Sequence, residues 1–259
     1  TELYMVMGGV PFYLSQVKKG QSTAQIIDTL FFSKKSSLYN EYKLLLSALF
    51  EQTADYDHIL RTIAKYRYGI SQAELLKNSK ISKGGRSTKR LSELEDVDFV
   101  QSYIPMSHKE RGKYYRIVDE YLLFYLHWIE PQLRNASRNK NIWQSRAISN
   151  TWKIWSGYAF ESICYKHINK IANKLNIGPC AYSFSWRFIP QKASLDRGAQ
   201  IDLLFDRDDD AITLCEIKYT EEPFSLDKEY AEKLKRKVDV FKKVTRTNKQ
   251  ILLALISAN

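Results

Sequence analysis

The sequence contains few cysteines and no long apolar run. The three cysteines, Cys164, Cys180 and Cys215, show neither a zinc-binding spacing nor a disulfide framework. We expect them to be reduced core residues of a cytoplasmic protein. Because no stretch of about 18 apolar residues occurs, we expect no transmembrane helix and no membrane partner. The start of the chain lacks a basic segment before an apolar one, so no signal peptide is predicted.

A phosphate-binding loop is also missing from the sequence. The pattern Gly-x-x-x-x-Gly-Lys-Ser/Thr holds the phosphates of ATP in many proteins. The nearest segment, Lys83 to Thr88, reads Lys-Gly-Gly-Arg-Ser-Thr and does not have that spacing. We therefore expect that this chain does not bind ATP. Because it begins at Thr1 and not at a methionine, we expect it to be a piece of a longer protein.

Positive charge exceeds negative charge in this sequence. The 40 lysines and arginines against 29 acidic residues give a net charge of +11 at pH 7. This excess favours a polyanionic partner, above all nucleic acid. A merely basic surface explains the same number, so charge alone leaves both interpretations open.

The first 54 residues are predicted to be mainly helical. Apolar residues at helical spacing indicate a core face: Leu38, Tyr42, Leu45 and Leu49. Two glycines before Pro11 predict a helix end or a turn. The segment 131–150 is polar and basic, and we interpret it as a linker.

Residues 55–130 have the pattern of a winged helix-turn-helix. Three helices are predicted, over 58–64, from a capping box at Ser71 through Leu76, and from Ser87 to Val97. Two strands follow, over 99–104 and 113–117, and the polar segment 107–112 joins them as a wing. The third helix is the expected recognition helix. The basic residues expected to contact DNA are Arg86, Lys89, Arg90 and Lys113. A spacer or a protein-interaction module is the alternative.

Residues 151–259 predict a second domain. The pattern gives a helix, three strands, a helix and a last strand. This order predicts a mixed sheet with helices on both faces, an α/β fold within a chain that is α+β overall. The apolar run Ile251–Ile256 is short enough for a fully buried strand.

Two strands of this domain, 200–205 and 214–218, form a predicted hairpin around the acidic turn 206–210. Alternation along both strands puts Asp202, Glu216 and Lys218 on one face. The other face is then apolar and packs on the core. Its residues are Ile201, Leu203, Phe205, Cys215 and Ile217.

The charged face of the hairpin suits metal-assisted hydrolysis of a phosphodiester. Asp202 and Glu216 are the oxygen ligands that magnesium prefers, and the carbonyl of Ile217 could add a third. Lys218 would orient the attacking water or stabilise charge, with a lowered pKa if it is buried. A surface ion pair is the alternative, because Glu-x-Lys is common on exposed strands.

The segments Ile201-Asp202 and Glu216-Ile217-Lys218, joined by a hairpin, resemble the signature of the PD-(D/E)XK nuclease superfamily. The resemblance implies a restriction-endonuclease-like fold over 151–259 and magnesium-dependent cleavage of DNA. The proline of the superfamily's name is absent, because Gln200-Ile201 precedes the aspartate. The resemblance also implies a role in the catalytic site for Glu161, on the first helix. It further implies a lysine on the helix after the Glu-x-Lys strand, either Lys233 or Lys237.

A wider resemblance covers most of the chain. Gly8-Gly9-Val10-Pro11, the winged helix, the aromatic run Tyr121–Trp128 and the segment Gly157–Glu161 together look like the C-terminal two-thirds of the archaeal-type prokaryotic ATPases of the AAA/STAND class. The resemblance implies that an ATP-binding half precedes Thr1 and that residues 1–54 are a helical, lid-like remnant of it. ATPase activity is then expected only where that half is present.

Two functions follow as expectations. The first is a magnesium-dependent DNA endonuclease that uses Glu161, Asp202, Glu216 and Lys218, with the winged helix as a docking module. The second is a non-catalytic DNA-binding, regulatory or protein-interaction module of an ATPase-family protein. Both expectations include DNA as a partner, and both leave a homo-oligomer open.

Overall fold

The computed structural model describes most of the chain, over residues 1–33, 36, 38–79, 81, 84–106, 112–134, 142–178, 182–190 and 198–258. The protein is 54% helical and 18% strand, which confirms the predicted α/β class. The chain groups into two compact units. The first comprises 1–102 with 113–163, and the second comprises 103–112 with 164–259.

Most helices lie in the first unit, where short segments follow one another closely. They are α1 Glu2–Met7, α2 Pro11–Ser15, α3 Thr23–Ile27, α4 Glu41–Leu49, α5 Thr53–Ala64, α6 Gln72–Asn78, α7 Gly85–Asp96, α8 Glu120–Phe124, α9 Glu130–Arg134, α10 Ile142–Ala147 and α11 Asn150–Lys166. The last residues of α11, from Cys164, belong to the second unit. Two π-helical turns, Asp28–Phe32 and Tyr125–Ile129, continue α3 and α8. Of the predicted core face, Leu38 and Tyr42 are buried but Leu49 is exposed, because α4 ends there.

The turn after α1 requires a glycine. Gly8 ends that helix at φ 63° and ψ −158°, a conformation that residues with a Cβ rarely adopt. A Cβ at Gly8 would also lie 2.8 Å from Oε2 of the buried Glu120. Pro11 then begins α2 at the position where its fixed φ suits a helix. The predicted helix end at Gly8-Gly9 is confirmed.

The winged-helix pattern is present in the structure. Helices α5, α6 and α7 occur with a three-stranded sheet in the order β1-β3-β2, in which β1 is Ile70–Ser71, β2 is Val100–Tyr103 and β3 is Tyr114–Ile117. Ser71 Oγ accepts a hydrogen bond from the Glu74 amide at 3.3 Å, as the predicted helix cap requires. Residues 107–111 of the predicted wing lie outside the described residues.

Aromatic side chains form the core of the first unit. Trp143 packs against Trp128 and Trp152 at centroid distances of 5.2 and 5.0 Å, and Trp152 packs against Trp155 at 5.2 Å. Asp28 accepts a hydrogen bond from the Trp143 amide at 2.7 Å and so fixes the start of α10. The described parts of 131–150, interpreted from the sequence as a linker, are largely helical, and Trp143 of α10 packs in this aromatic core. Residues 135–141 lie outside the described residues.

The second unit is built on a four-stranded mixed sheet. Its strands are β4 Tyr182–Phe188, β5 Ala199–Asp206, β6 Ala211–Lys218 and β7 Gln250–Ser257, in the order β4-β5-β6-β7. The first three strands are antiparallel, and β7 runs parallel to β6 after the crossover helix α13, Lys228–Thr245. The short helix α12, Ile168–Lys174, precedes β4. A core cluster joins the sheet to α13: Trp186, Ala199, Ile201, Leu204, Ile212, Leu214 and Phe241.

The prediction of a fully buried last strand is wrong. In the sheet order β7 is an edge strand with β6 as its neighbour. Leu252, Leu253 and Leu255 of β7 are 37%, 53% and 43% exposed. An apolar run predicts a strand, but its place in the sheet decides burial.

Over the described ranges, no helix combines the length and the apolar character needed to span a lipid bilayer.

Candidate active site on a β-hairpin

The predicted hairpin is confirmed, and it lies in the middle of the sheet. Strands β5 and β6 pair in antiparallel register from Leu203 with Cys215 to Asp206 with Ile212. The turn is closed by the Arg207 amide, which donates to the Ala211 carbonyl at 3.0 Å. Because β6 is flanked by β5 and β7, the Glu-x-Lys segment is on an interior strand and not on the exposed strand of a surface ion pair.

A β-bulge lies at Asp202–Leu203. Phe184 of β4 pairs with Leu204 and Trp186 pairs with Ile201, so two steps along β4 match three steps along β5. Because of the extra residue, the side chains before and after the bulge do not continue one regular alternation between the two faces of the sheet. Ile201 and Leu204 therefore both belong to the core cluster. The predicted face that grouped Ile201 with Leu203 is wrong, because the bulge interrupts the alternation.

Asp202 is a buried carboxylate with polar but uncharged hydrogen-bond donors. It is 7% exposed; Oδ2 accepts from the Ile217 amide at 3.1 Å, and Oδ1 accepts from Gln200 Nε2 at 3.3 Å. Its carbonyl accepts from the Tyr165 hydroxyl at 3.0 Å. Burial, followed by the charge of Glu216, raises the pKa of Asp202 above its ordinary value, although the Ile217 amide opposes this.

Glu216 is equally buried but has cationic partners. Oε1 accepts from the Tyr230 hydroxyl at 2.6 Å and lies 3.2 Å from Lys218 Nζ. Oε2 accepts from Lys237 Nζ at 2.5 Å. Burial by itself raises the pKa of Glu216, but the hydrogen bond and charge of Lys237, with Tyr230 and Lys218, lower it below the ordinary value. The two carboxylates therefore differ in electrostatic state although they share one site.

Lys218 lies against both Glu216 and Tyr230. Its Nζ is 5.5 Å from the centroid of the Tyr230 ring, a cation–π contact. Burial lowers the pKa of Lys218, but the hydrogen bond to Tyr230 and the charge of Glu216 outweigh burial, so the pKa is raised. A lowered pKa was expected only for a buried lysine, and the Lys218 side chain is 36% exposed. Lys218 stays protonated near neutral pH and supplies positive charge.

The structure distinguishes the two lysines of α13. Lys237 contacts Glu216, and its side chain is 21% exposed. Lys233 lies one helical turn earlier, pairs with Glu229 at 2.8 Å and is 56% exposed. Lys237 is therefore the α13 lysine at the hairpin site.

Glu161 belongs to the first unit, whereas Asp202, Glu216 and Lys218 belong to the second. In its own unit Glu161 accepts a hydrogen bond from Arg67 at 3.0 Å. The guanidinium of Arg67 also lies 5.4 Å from the ring centroid of Tyr158. The structure thus brings together three of the four predicted catalytic residues within one unit. The catalytic role of Glu161 stays a prediction.

The basic residues expected at DNA are not equivalent. Arg86 and Lys89 on α7 are exposed, and so is Lys113 before β3. Arg90 instead pairs with Asp55 at 2.5 Å and donates to Gln52 at 2.7 Å, and its side chain is 12% exposed. Its guanidinium ties α7 to the segment at the start of α5, and its contact with DNA stays a prediction.

The donor set at the hairpin fits a single magnesium ion that keeps several waters. Over the described ranges, no group of three or more histidine, cysteine, aspartate and glutamate side chains is placed to hold a metal. Two carboxylates are nevertheless a usual protein contribution to a magnesium site. Burial, followed by the charge of Glu216, raises the pKa of Asp202, and a divalent cation between the two carboxylates would offset both. Asp202 and Glu216 would hold such an ion.

Tyr230 was not predicted as a site residue, and the choice between Lys233 and Lys237 was left open. Tyr230 and Lys237 are seven residues apart on α13, which places both on one face of the helix. That spacing was available from the sequence. The sequence does not show which strand residue this face of α13 contacts, because the crossover from β6 to β7 is what brings the helix over Glu216.

Comparison with known proteins adds one distant relative. No protein-family model matches the chain. A protein of Methanocaldococcus jannaschii, described as uncharacterized, is 27% identical over 222 residues. The match takes in 84% of this chain and 47% of the relative, so the chain spans less than half the length of the protein it matches. That description states no activity, and the functional argument therefore rests on the site.

Proposed function

We propose that the second unit is a magnesium-dependent phosphodiesterase acting on DNA as an endonuclease, as the resemblance to the PD-(D/E)XK superfamily implies. One observation carries the proposal. Two buried carboxylates, Asp202 and Glu216, occupy neighbouring interior strands beside a protonated lysine, Lys218. Such a grouping favours a function, because buried like charges destabilise a fold unless a cation or an anionic substrate is expected.

Each side chain has a distinct role in the proposed reaction. Asp202 and Glu216 hold the magnesium ion. When bound, the ion supplies a Lewis acid and a source of hydroxide at neutral pH. Lys218 places positive charge where negative charge develops on the phosphate. Tyr230 fixes Glu216 through its hydroxyl and contacts Lys218 through its ring. The buried setting strengthens each of these interactions relative to water.

The winged helix is the proposed docking module for DNA. Its exposed Arg86, Lys89 and Lys113 suit contacts with phosphates. We also propose that the chain belongs to a longer ATPase-family protein; the relative of more than twice the matched length supports the greater length, and the family rests on the resemblance alone. A cytoplasmic location is part of the proposal, since Cys164 and Cys215 are buried free thiols.

The test is a cleavage assay on the full chain with supercoiled and linear DNA, with Mg²⁺ or Mn²⁺ and with a chelator. Wild type should cut only with the metal. Asp202→Asn, Glu216→Gln and Lys218→Met should each lower the rate by roughly a hundredfold or more, as removal of transition-state charge stabilisation does. Asp206→Asn is the matched control, because Asp206 lies on the same strand and pairs with Lys249 at 2.7 Å. Its rate should equal that of wild type.

Cleavage that survives the substitutions at Asp202 and Lys218 would contradict the proposed site. A second candidate function is a non-catalytic DNA-binding or regulatory module. The ammonium groups at both oxygens of Glu216 favour it, since they already neutralise that carboxylate. Salt-sensitive DNA binding without cleavage in either metal would support this second function.

A further inference from the structure

We propose that Lys237 is an internal cation that competes with the divalent metal for Glu216. The inference rests on the proposed function, in that Asp202 and Glu216 are taken as the metal ligands. It goes further by assigning Lys237 a role that opposes metal binding, so that the ion and the ammonium group alternate at one carboxylate oxygen.

The contacts of Glu216 carry the inference. Lys237 Nζ lies 2.5 Å from Oε2, while Oε1 is held by Tyr230 at 2.6 Å and by Lys218 at 3.2 Å. Magnesium binds carboxylate oxygens at about 2.0–2.1 Å. An ion on Oε2 would therefore be only about 4 Å from the ammonium group, where like charges repel strongly in a buried site. Lys237 must move away before Glu216 can be a full metal ligand.

Lys237 is the cation best placed to leave. Its side chain is 21% exposed on α13, so its four-carbon stem can turn towards solvent. Lys218 is more exposed, at 36%, but it is held by the ring of Tyr230 and lies at Oε1, not at the oxygen that Lys237 occupies. Over the described ranges, no lysine or arginine forms an ion pair with Asp202, whose donors are the uncharged Ile217 amide and Gln200, so no cation has to leave that carboxylate before a metal binds. The ion thus meets Asp202 directly and must displace Lys237 to reach Glu216.

The first test measures metal affinity and needs no catalysis. Mn²⁺ binding to the full chain is followed by electron paramagnetic resonance for wild type, Lys237→Gln, Lys237→Arg and Lys233→Gln. Glutamine can still donate a hydrogen bond to Oε2 but carries no charge. We expect Lys237→Gln to bind Mn²⁺ roughly tenfold tighter or more, since it removes one unit charge beside the ion. Lys237→Arg keeps the charge and should not bind more tightly than wild type.

Lys233→Gln is the matched control, because Lys233 lies on the same helix but pairs with the exposed Glu229. Its affinity should match that of wild type. If wild type binds Mn²⁺ and Lys237→Gln binds no more tightly, the competition is refuted while the proposed metal site survives. If Asp202→Asn and Glu216→Gln leave Mn²⁺ binding unchanged, or if neither wild type nor Lys237→Gln binds it, the proposed metal site fails and this inference with it.

A second test uses wild type alone and holds even if the variants fold poorly. The protein is exposed to an amine-acetylating reagent with and without saturating Mn²⁺, and labelling is read at each lysine by peptide mass spectrometry. Displacement by the metal should raise the labelling rate of Lys237 severalfold and leave Lys233 unchanged. An unchanged rate at Lys237 in metal-saturated protein would overturn the proposal.

Discussion

Charged side chains are used differently in the two units. In the first unit, Arg61 contacts Asp57 at 2.7 Å and also pairs with Glu130, so each of these three partly buried charges has an opposite partner. In the second unit, Glu216 contacts two lysines while Asp202, equally buried, contacts only uncharged donors. The first arrangement is what stability requires of buried ions. In the second arrangement the two carboxylates are neutralised unequally, which is common at ligand-binding sites.

The largest effect on stability is expected from a variant that removes the balanced ion pairs of the first unit. Arg61→Met removes the guanidinium between Asp57 and Glu130 and also the cation over the Tyr42 ring. We expect the free energy of unfolding to fall by about 2–4 kcal/mol, because two carboxylates lose their common partner. Urea denaturation of the full chain measures the change.

The control for the loss of stability in Arg61→Met is an exposed ion pair. Lys233→Met removes a lysine that is 56% exposed beside Glu229. It should change the free energy of unfolding by less than about 0.5 kcal/mol, as surface ion pairs usually do. A loss for Arg61→Met no larger than that of the control would contradict the contrast between the two units.

An intermediate effect on stability is expected at the hairpin site, where the pKa values of Asp202 and Glu216 are shifted in opposite directions. The pKa of Asp202 is raised in the folded state, so its stabilising contribution is complete below its unfolded pKa and is lost as the pH rises through the folded value. Asp202→Asn, which cannot ionise, should therefore raise the free energy of unfolding by about 1 kcal/mol at pH 7. The gain should disappear below pH 3.8, the ordinary pKa of the carboxyl group.

Glu216→Gln should behave in the opposite way. The pKa of Glu216 is lowered, so its contribution is present above its unfolded pKa and is lost as the pH falls through the folded value. The variant should be less stable than wild type by about 1 kcal/mol at pH 7, and the difference should shrink in acid. Denaturation curves collected across this pH range give both results. Equal effects of the two variants at neutral pH would show that the two carboxylates do not differ.

The smallest expected effect separates two basic residues of α7. Lys89 is exposed, and its pairing with Glu93 is long, at 3.7 Å. Lys89→Ala should weaken DNA binding about equally for all sequences. It should also reduce the slope of log affinity against log salt concentration by about one unit, and leave the stability unchanged. Arg90→Ala should instead lower the melting temperature by removing the pairing with Asp55, and should leave the salt slope unchanged. Fluorescence anisotropy over a salt series, with thermal unfolding beside it, separates the two cases. A reduced salt slope for Arg90→Ala would assign that residue to the DNA surface.

Local signals in the sequence predicted the elements well. The cap at Ser71, the third helix of the winged-helix pattern and the acidic turn of the hairpin all lie where the pattern put them. Each depends on a few neighbouring residues, on hydrogen bonds within one turn or on one face of one helix. Such signals are present in the chain before any long-range contact forms.

The same sequence by itself determined that Asp202, Glu216 and Lys218 meet on one hairpin, because the spacing across a short turn fixes that. Only the tertiary structure decided which cation holds Glu216 and which face of β5 the core takes. The bulge at Asp202 depends on pairing with β4, and the choice of Lys237 over Lys233 depends on how α13 crosses the sheet. Burial at β7 is likewise a matter of strand order. Long-range packing sets all three, and no local pattern encodes it.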